Sequence, residues 1–175
     1  MFINNPYRLN NYNRQGAVQY ALTYALEPNP NFKYIELHGD GGGDCTNFIS
    51  QCLKAGGAPF AYDKNPWWYN MKTHTWSVSW AVAHSLYWTL KVRGQLNMKG
   101  LRAHEVDSVD MLDLGDIIQY ENYNGVIYHS AIITAFTEEG GKRLPLISQH
   151  TYNAKNIPYI KPAAQKAHFM KIEVT

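Results

Sequence analysis

Residues His38–Gly57 read HGDGGGDCTNFISQCLKAGG. Three consecutive glycines, Gly41–Gly43, lead through Asp44 into a run in which Phe48, Ile49 and Cys52 recur at helical spacing. Asp is a favoured N-cap, and Gly56 and Gly57 make a C-terminal stop, so a short helix is expected to begin at Cys45. A cysteine in the first helical turn meets unpaired N–H groups and the positive end of the helix dipole. Thiols so placed fall from about 8.5 into the range of roughly 3.5–7.5. The glycines let the backbone pass close by and leave room for a substrate at the sulfur. Cys45 therefore reads as a nucleophile, against the alternative of a small buried core thiol. Cys52 fits that alternative. On one helix the two Cα atoms lie about 10 Å apart, beyond disulfide reach, so both thiols are expected to be free.

Outward from this stretch, YNRQGAVQYALTYALEPNP reads as a first helix with Asn13 as its N-cap, ended by Pro28 and Pro30. SVSWAVAHSLYWTLKVRG reads as a third helix, capped by Ser77 and closed by Gly94. The second half changes character. GDIIQY, HSAIITAF, LPLISQH and HFMKIEV are short β-branched or apolar runs set apart by Gly, Pro and polar turns. Helices first and strands later predict an α+β fold with an antiparallel sheet. At 175 residues, without repeats or linkers, the chain is expected to form a single domain over 1–175.

Composition narrows the function. Hydrophobic residues make up 45% and charged residues 17%, which is the balance of a globular chain. The net charge of +2, with no Lys/Arg block, gives no sign of nucleic-acid binding or of an anionic membrane partner. No apolar run reaches the length of a membrane span. MFINNPYRLNNYNRQG has no basic-then-apolar layout of a leader. The compartment stays open: extracellular or cell-envelope if the chain is part of a longer protein, otherwise cytoplasmic. Two thiols without a paired spacing make a poor zinc site, and no metal or cofactor is called for.

A cysteine nucleophile needs a base, and the base an orienting partner. Of seven histidines, His38, His74 and His104 lie in polar loop-like stretches, His84 falls on a helix and His168 opens the last strand. His129 begins one strand and His150 ends the next, with TEEGGK as the turn between them. A two-residue turn at Glu139-Gly140 sets them directly opposite, and one at Gly140-Gly141 makes them diagonal neighbours on one face. An odd-length loop would put them on opposite faces. Asp116 reads as closing a turn into a strand.

The stretches YNRQGAVQYALTYA, GGDCTNFISQCLKAGG, WSVSW, GDIIQY, YHSAIIT and LISQHT resemble the "putative amidase domain" family, from Tyr12 to Thr151. That family is related to the papain-like cysteine peptidases and, distantly, to the NlpC-type and CHAP cell-wall hydrolases. The resemblance implies a papain-like or NlpC-like arrangement, with Cys45 as nucleophile and His129 as base. By analogy with the NlpC-type enzymes, His150 falls where a third residue orients the base, with Gln149 and Asn153 as alternatives. It also implies cleavage of an amide bond, with peptidoglycan peptides as the substrate class it suggests. Papain's oxyanion Gln has no counterpart in HGDGGGD, so Tyr12, Asp44 and Trp68 are carried as oxyanion or substrate contacts. Asp44 reads first as a cap. Trp68 belongs to an aromatic group with Trp67, Tyr69, Trp76 and Trp80, most of it expected in the core. Two other functions fit the sequence: a catalytically silent domain binding glycan or peptide, and acyl transfer through the same dyad.

Overall fold

A computed structural model of the chain describes residues 10–39 and 41–175. Met1–Leu9, which carry part of the reading that no leader is present, and Asp40 of the glycine loop lie outside the described residues.

The first helix, α1 (Arg14–Tyr24), starts where Asn13 accepts the Gly16 N–H at 2.9 Å. Two short strands, β1 (Leu37–His38) and β2 (Gly41–Gly42), pair across the glycine loop and deliver the chain to α2 (Cys45–Ala55). Every residue of α2 from Cys45 to Leu53 is buried. Phe48, Ile49, Cys52 and Leu53 enter the main core. The polar face is buried too, because its groups are paired. Asn47 Oδ1 accepts the Trp80 indole N–H at 2.7 Å, and Ser50 Oγ accepts that of Trp67 at 3.0 Å. Trp67 and Trp80 are fully buried and close α2 from outside, as expected of core aromatics.

After the small hairpin β3 (Tyr69–Asn70) and β4 (Thr75–Trp76), the expected third helix is two: α3 (Val78–Ala81) and α4 (Ala83–Gln95). The break is Val82, which is extended (φ −112°, ψ 121°). Side chains take carbonyls beside it: Ser50 donates to Trp80 O at 2.8 Å and Gln119 to Ala83 O at 3.0 Å. Ser77 does not cap with its side chain. Gly94 lies inside α4 rather than ending it, and a Cβ there would stand 2.1 Å from Ala103 O.

The strands β5 (Leu101–Val106), β6 (Ile117–Glu121), β7 (Ile127–Glu139), β8 (Lys142–Gln149), β9 (Ala154–Pro158) and β10 (Lys166–Val174) form one six-stranded antiparallel sheet. Its order is β5-β10-β6-β7-β8-β9. The α+β expectation holds. The two strands absent from it, β5 and β9, are the sheet edges, where alternation is weakest. The helices cover one face, over Ile117, Ile127, Ile132, Met170 and Ile172. Ile118, Tyr120, Ala131, Ile133 and Ile147 build a second cluster on the other.

Register decides the site. The β7–β8 turn is Gly140-Gly141, pairing Glu139 with Lys142 and Ala135 with Leu146. A bulge then intervenes, and Ile133 pairs with Ile147 and Ile132 with Ser148. The extra residue is Thr134, whose hydroxyl meets Ser148 Oγ at 2.7 Å and Asn156 Oδ1 at 2.8 Å. One inserted residue exchanges the faces of everything beyond it. His129 therefore shares the face of Ile133, Ile147 and Gln149, while His150 points with Ser148 toward the helices.

Candidate active site

Cys45 opens α2, with Asp44 at the N-cap position. The expected side-chain cap is not made there. Asp44 turns inward instead. Its Oδ1 accepts the Ile35 N–H at 2.9 Å and the Asn47 amide at 2.7 Å, and its Oδ2 lies 2.5 Å from His150 Nδ1. The N–H of Cys45 goes to Thr151 Oγ1, at 3.2 Å. Gly43 makes that reach possible. Its φ is +96°, and a Cβ there would sit 2.6 Å from the same hydroxyl oxygen. The glycine ahead of the cysteine is needed as much for this contact as for a turn.

Both candidate catalytic groups are almost sealed, with Cys45 and His129 each 6% exposed. Burial pushes the Cys45 thiol up, and hydrogen bonds from Thr46 and the Ser130 backbone only partly oppose it. This reverses the depressed thiol expected from the helix start alone, because desolvation outweighs the local donors. Burial likewise pushes His129 down to about 4, against the opposing hydrogen bond to Gln149. The resting pair is then a neutral thiol and a neutral imidazole.

Gln149 sets the tautomer. Its Nε2 donates to Tyr152 O at 2.9 Å, which turns its Oε1 toward His129 Nε2, also at 2.9 Å. An amide oxygen only accepts, so His129 carries its proton on Nε2 and presents a bare Nδ1. Cys45, His129, Gln149 and Thr151 line one cavity of about 380 Å³. Tyr128 and Lys161 share its wall. Among the described residues, no group of three or more His, Cys, Asp or Glu side chains is placed to hold a metal.

Over residues 11–172 the sequence matches the family described as a putative amidase domain. The chain belongs to this family. It is 40% identical over 148 residues to the uncharacterized protein YhbB of Bacillus subtilis (strain 168), covering 82% of this chain and 43% of that protein. It is 30% identical over 155 residues to the uncharacterized protein YjcM of the same organism, covering 84% of this chain and 32% of that one. The chain thus spans less than half the length of either relative. No solved structure gives a significant match. Among the described residues, no helix is long and apolar enough to cross a membrane.

In this amidase-family chain, the four other candidates do not line the cavity. His150 does not meet His129. Its Nδ1 faces Asp44 and its Nε2 the Tyr24 carbonyl at 2.7 Å, with the ring stacked 4.0 Å from that of Phe48. Both ring nitrogens face acceptors, so none is left for another histidine. The bulge at Thr134 is the cause. Tyr12 donates its hydroxyl to Gly115 O at 2.8 Å, beside Gly56 at the far end of α2. At 1.5 Å per residue Gly56 is about 17 Å from Cys45. Trp68 stacks on Tyr62, with centroids 6.2 Å apart, in a different groove that includes Phe60 and Met71. Asp44, enclosed at 1% exposure, faces His150 rather than the cavity.

Thr151 and Lys161 were not legible as site residues. Thr151 follows β8 with φ +54°, and Tyr152 follows it with φ +66°. Two successive left-handed residues without glycine give no sequence signal, yet such strain gathers at functional sites.

Proposed function

We propose that this amidase-family domain is a cysteine-dependent amidohydrolase or peptidase. The observation that carries the reading is the Gln149 amide, which fixes His129 as an Nε2–H tautomer in the cavity it shares with Cys45. His129 Nδ1 takes the thiol proton as the sulfur attacks the substrate carbonyl carbon, so a C–S bond forms and the carbonyl π pair moves to oxygen. The helix start offers donors to that oxyanion. Thr151 adds another: its Oγ1 already accepts from Cys45, and its own proton has no acceptor among the described residues. On this reading Thr151 supplies the contact for which the chain has no counterpart of papain's glutamine. Collapse breaks the C–N bond, and His129 returns the proton to the leaving amine. His129 then draws a proton from water, which attacks the thioester; the acid leaves and the thiol is restored.

The sequence resemblance to NlpC-type enzymes points to peptides, those of peptidoglycan among them, as substrate. An acceptor amine in place of water would turn the same cycle into acyl transfer. The stacked Tyr62–Trp68 pair favours a second reading, a surface for glycan or peptide that works without the thiol. Iodoacetamide labelling with mass-spectrometric site assignment separates the two. The enzyme reading expects Cys45 to label, more slowly in His129→Ala, with Cys52 protected. Equal labelling of both cysteines, or none at Cys45, overturns it. Incubation with purified peptidoglycan peptides then tests the substrate, read as new amine ends lost in Cys45→Ala.

A further inference from the structure

Lys161 lies in the loop between β9 and β10 and lines the cavity that holds Cys45 and His129. The backbone is braced there. Pro162 restricts Lys161 to extended geometry, and Tyr120 donates its hydroxyl to Tyr159 O at 2.6 Å. The ammonium sits 5.2 Å over the Tyr120 ring, and that ring is 5.8 Å from His129.

What sets this lysine apart is partial burial with neither an anion nor a hydrogen bond; of the other partly buried lysines, Lys54 donates to Ala58 O at 3.2 Å. Lys91 pairs with Glu105 at 2.5 Å, and Lys171 with Asp113 at 2.9 Å. Among the described residues no carboxylate lies within ion-pair distance of Lys161, and no hydrogen bond holds its ammonium. It is also the one permanently charged side chain on the cavity wall, which is otherwise largely apolar, with Tyr128, Tyr152, Ile160 and Pro162. A half-buried cation facing such a wall is poorly solvated, and an arriving anion gains most where water is thin. Burial holds Lys161 below the ordinary lysine range, and the Cys45 sulfur is close enough to act against that.

We propose that Lys161 determines specificity in this cavity by binding a carboxylate close to the scissile carbonyl, so that the preferred substrate has an acidic acyl group. This rests on the cavity being a thiol hydrolase site. Nothing else on its wall carries a fixed charge, so the selection is electrostatic and falls away with salt.

The test is parallel alkylation of Cys45 by iodoacetate and iodoacetamide at one pH. With both, the thiolate attacks the CH₂ carbon, a C–S bond forms, and iodide leaves with the C–I pair. The reagents differ in carboxylate against amide, so the ratio of their rates cancels the ionisation of the thiol. The ratio is expected to fall about tenfold in Lys161→Met, to survive in Lys161→Arg, and to shrink with added salt in the wild type. Lys161→Gln gives the same reading if Lys161→Met fails to fold. An equal ratio in wild type and variant overturns the role of Lys161 and leaves the hydrolase reading standing. If neither reagent prefers Cys45 to Cys52 in the wild type, the hydrolase reading falls, and this proposal with it.

Discussion

His129 and His150 lie at neighbouring strand ends and are both buried, at 6% and 0% exposure, yet they are opposites. His129 spends one nitrogen on Gln149 and keeps the other bare. His150 spends both, on Asp44 and on the Tyr24 carbonyl. The neighbours repeat the division. Cys45 faces the cavity while Asp44 faces inward; Gln149 bonds to His129 while His150 bonds to Asp44 and Tyr24 behind it. Burial alone does not mark a reactive histidine. What separates the two is whether the fold has left a nitrogen uncommitted.

The sharpest way to break this contrast is to delete each histidine. His129→Ala should slow Cys45 acylation by an activated ester at least about a thousandfold, with the fold kept. His150→Ala should leave the buried Asp44 carboxylate without its partner and cost about 3–5 kcal/mol in a denaturant titration. The molecules still folded should alkylate Cys45 at nearly the wild-type rate. Loss of that chemistry at unchanged stability would return His150 to the active site.

A smaller effect sharpens the role of Thr151. Thr151→Val should lower acylation by p-nitrophenyl acetate about 10- to 100-fold, because that step builds an oxyanion. Iodoacetamide builds none, so its rate should hold. Thr151→Ser should restore acylation. A parallel drop with both reagents would mean that the threonine merely shapes the helix start.

The pH dependence carries a sign. His129 is depressed from 6.5 to about 4, so between those values the unfolded chain binds a proton that the folded chain does not. Stability should therefore be whole above pH 6.5 and fall as pH drops toward 4, by roughly 3 kcal/mol at most. Thermal unfolding of wild type against His129→Gln isolates this share. The smallest expected change is in Gln149→Ala. Its hydrogen bond raises the basicity of His129, so its loss should move the acid limb of Cys45 alkylation to lower pH and slow the plateau about tenfold. An unmoved limb would detach Gln149 from the base.

Much of this was written locally and could be read locally. The Asn13 cap, the start of α2 at Cys45 and the buried tryptophans follow from side chains a few residues apart. The helix break at Val82 was not legible, because its carbonyls are met by Ser50 and Gln119 from other elements. The thiol's shift was misjudged for a similar reason. A helix start is a local feature, whereas the desolvation that outweighs it comes from the whole fold. Gln149 stood among the alternatives for the third residue, but preferring His150 assumed an unbroken ladder. Nothing in SAIITAF announces that Thr134 lies outside it.

That single threonine makes chain length a matter of parity. Between Ser130 and Ser148, adding or removing one residue exchanges the two faces of the strand, and with them the side chains set before His129. Adding two at the Gly140-Gly141 turn changes nothing but the reach of the hairpin. Tolerated length variants of this segment should therefore come in even steps.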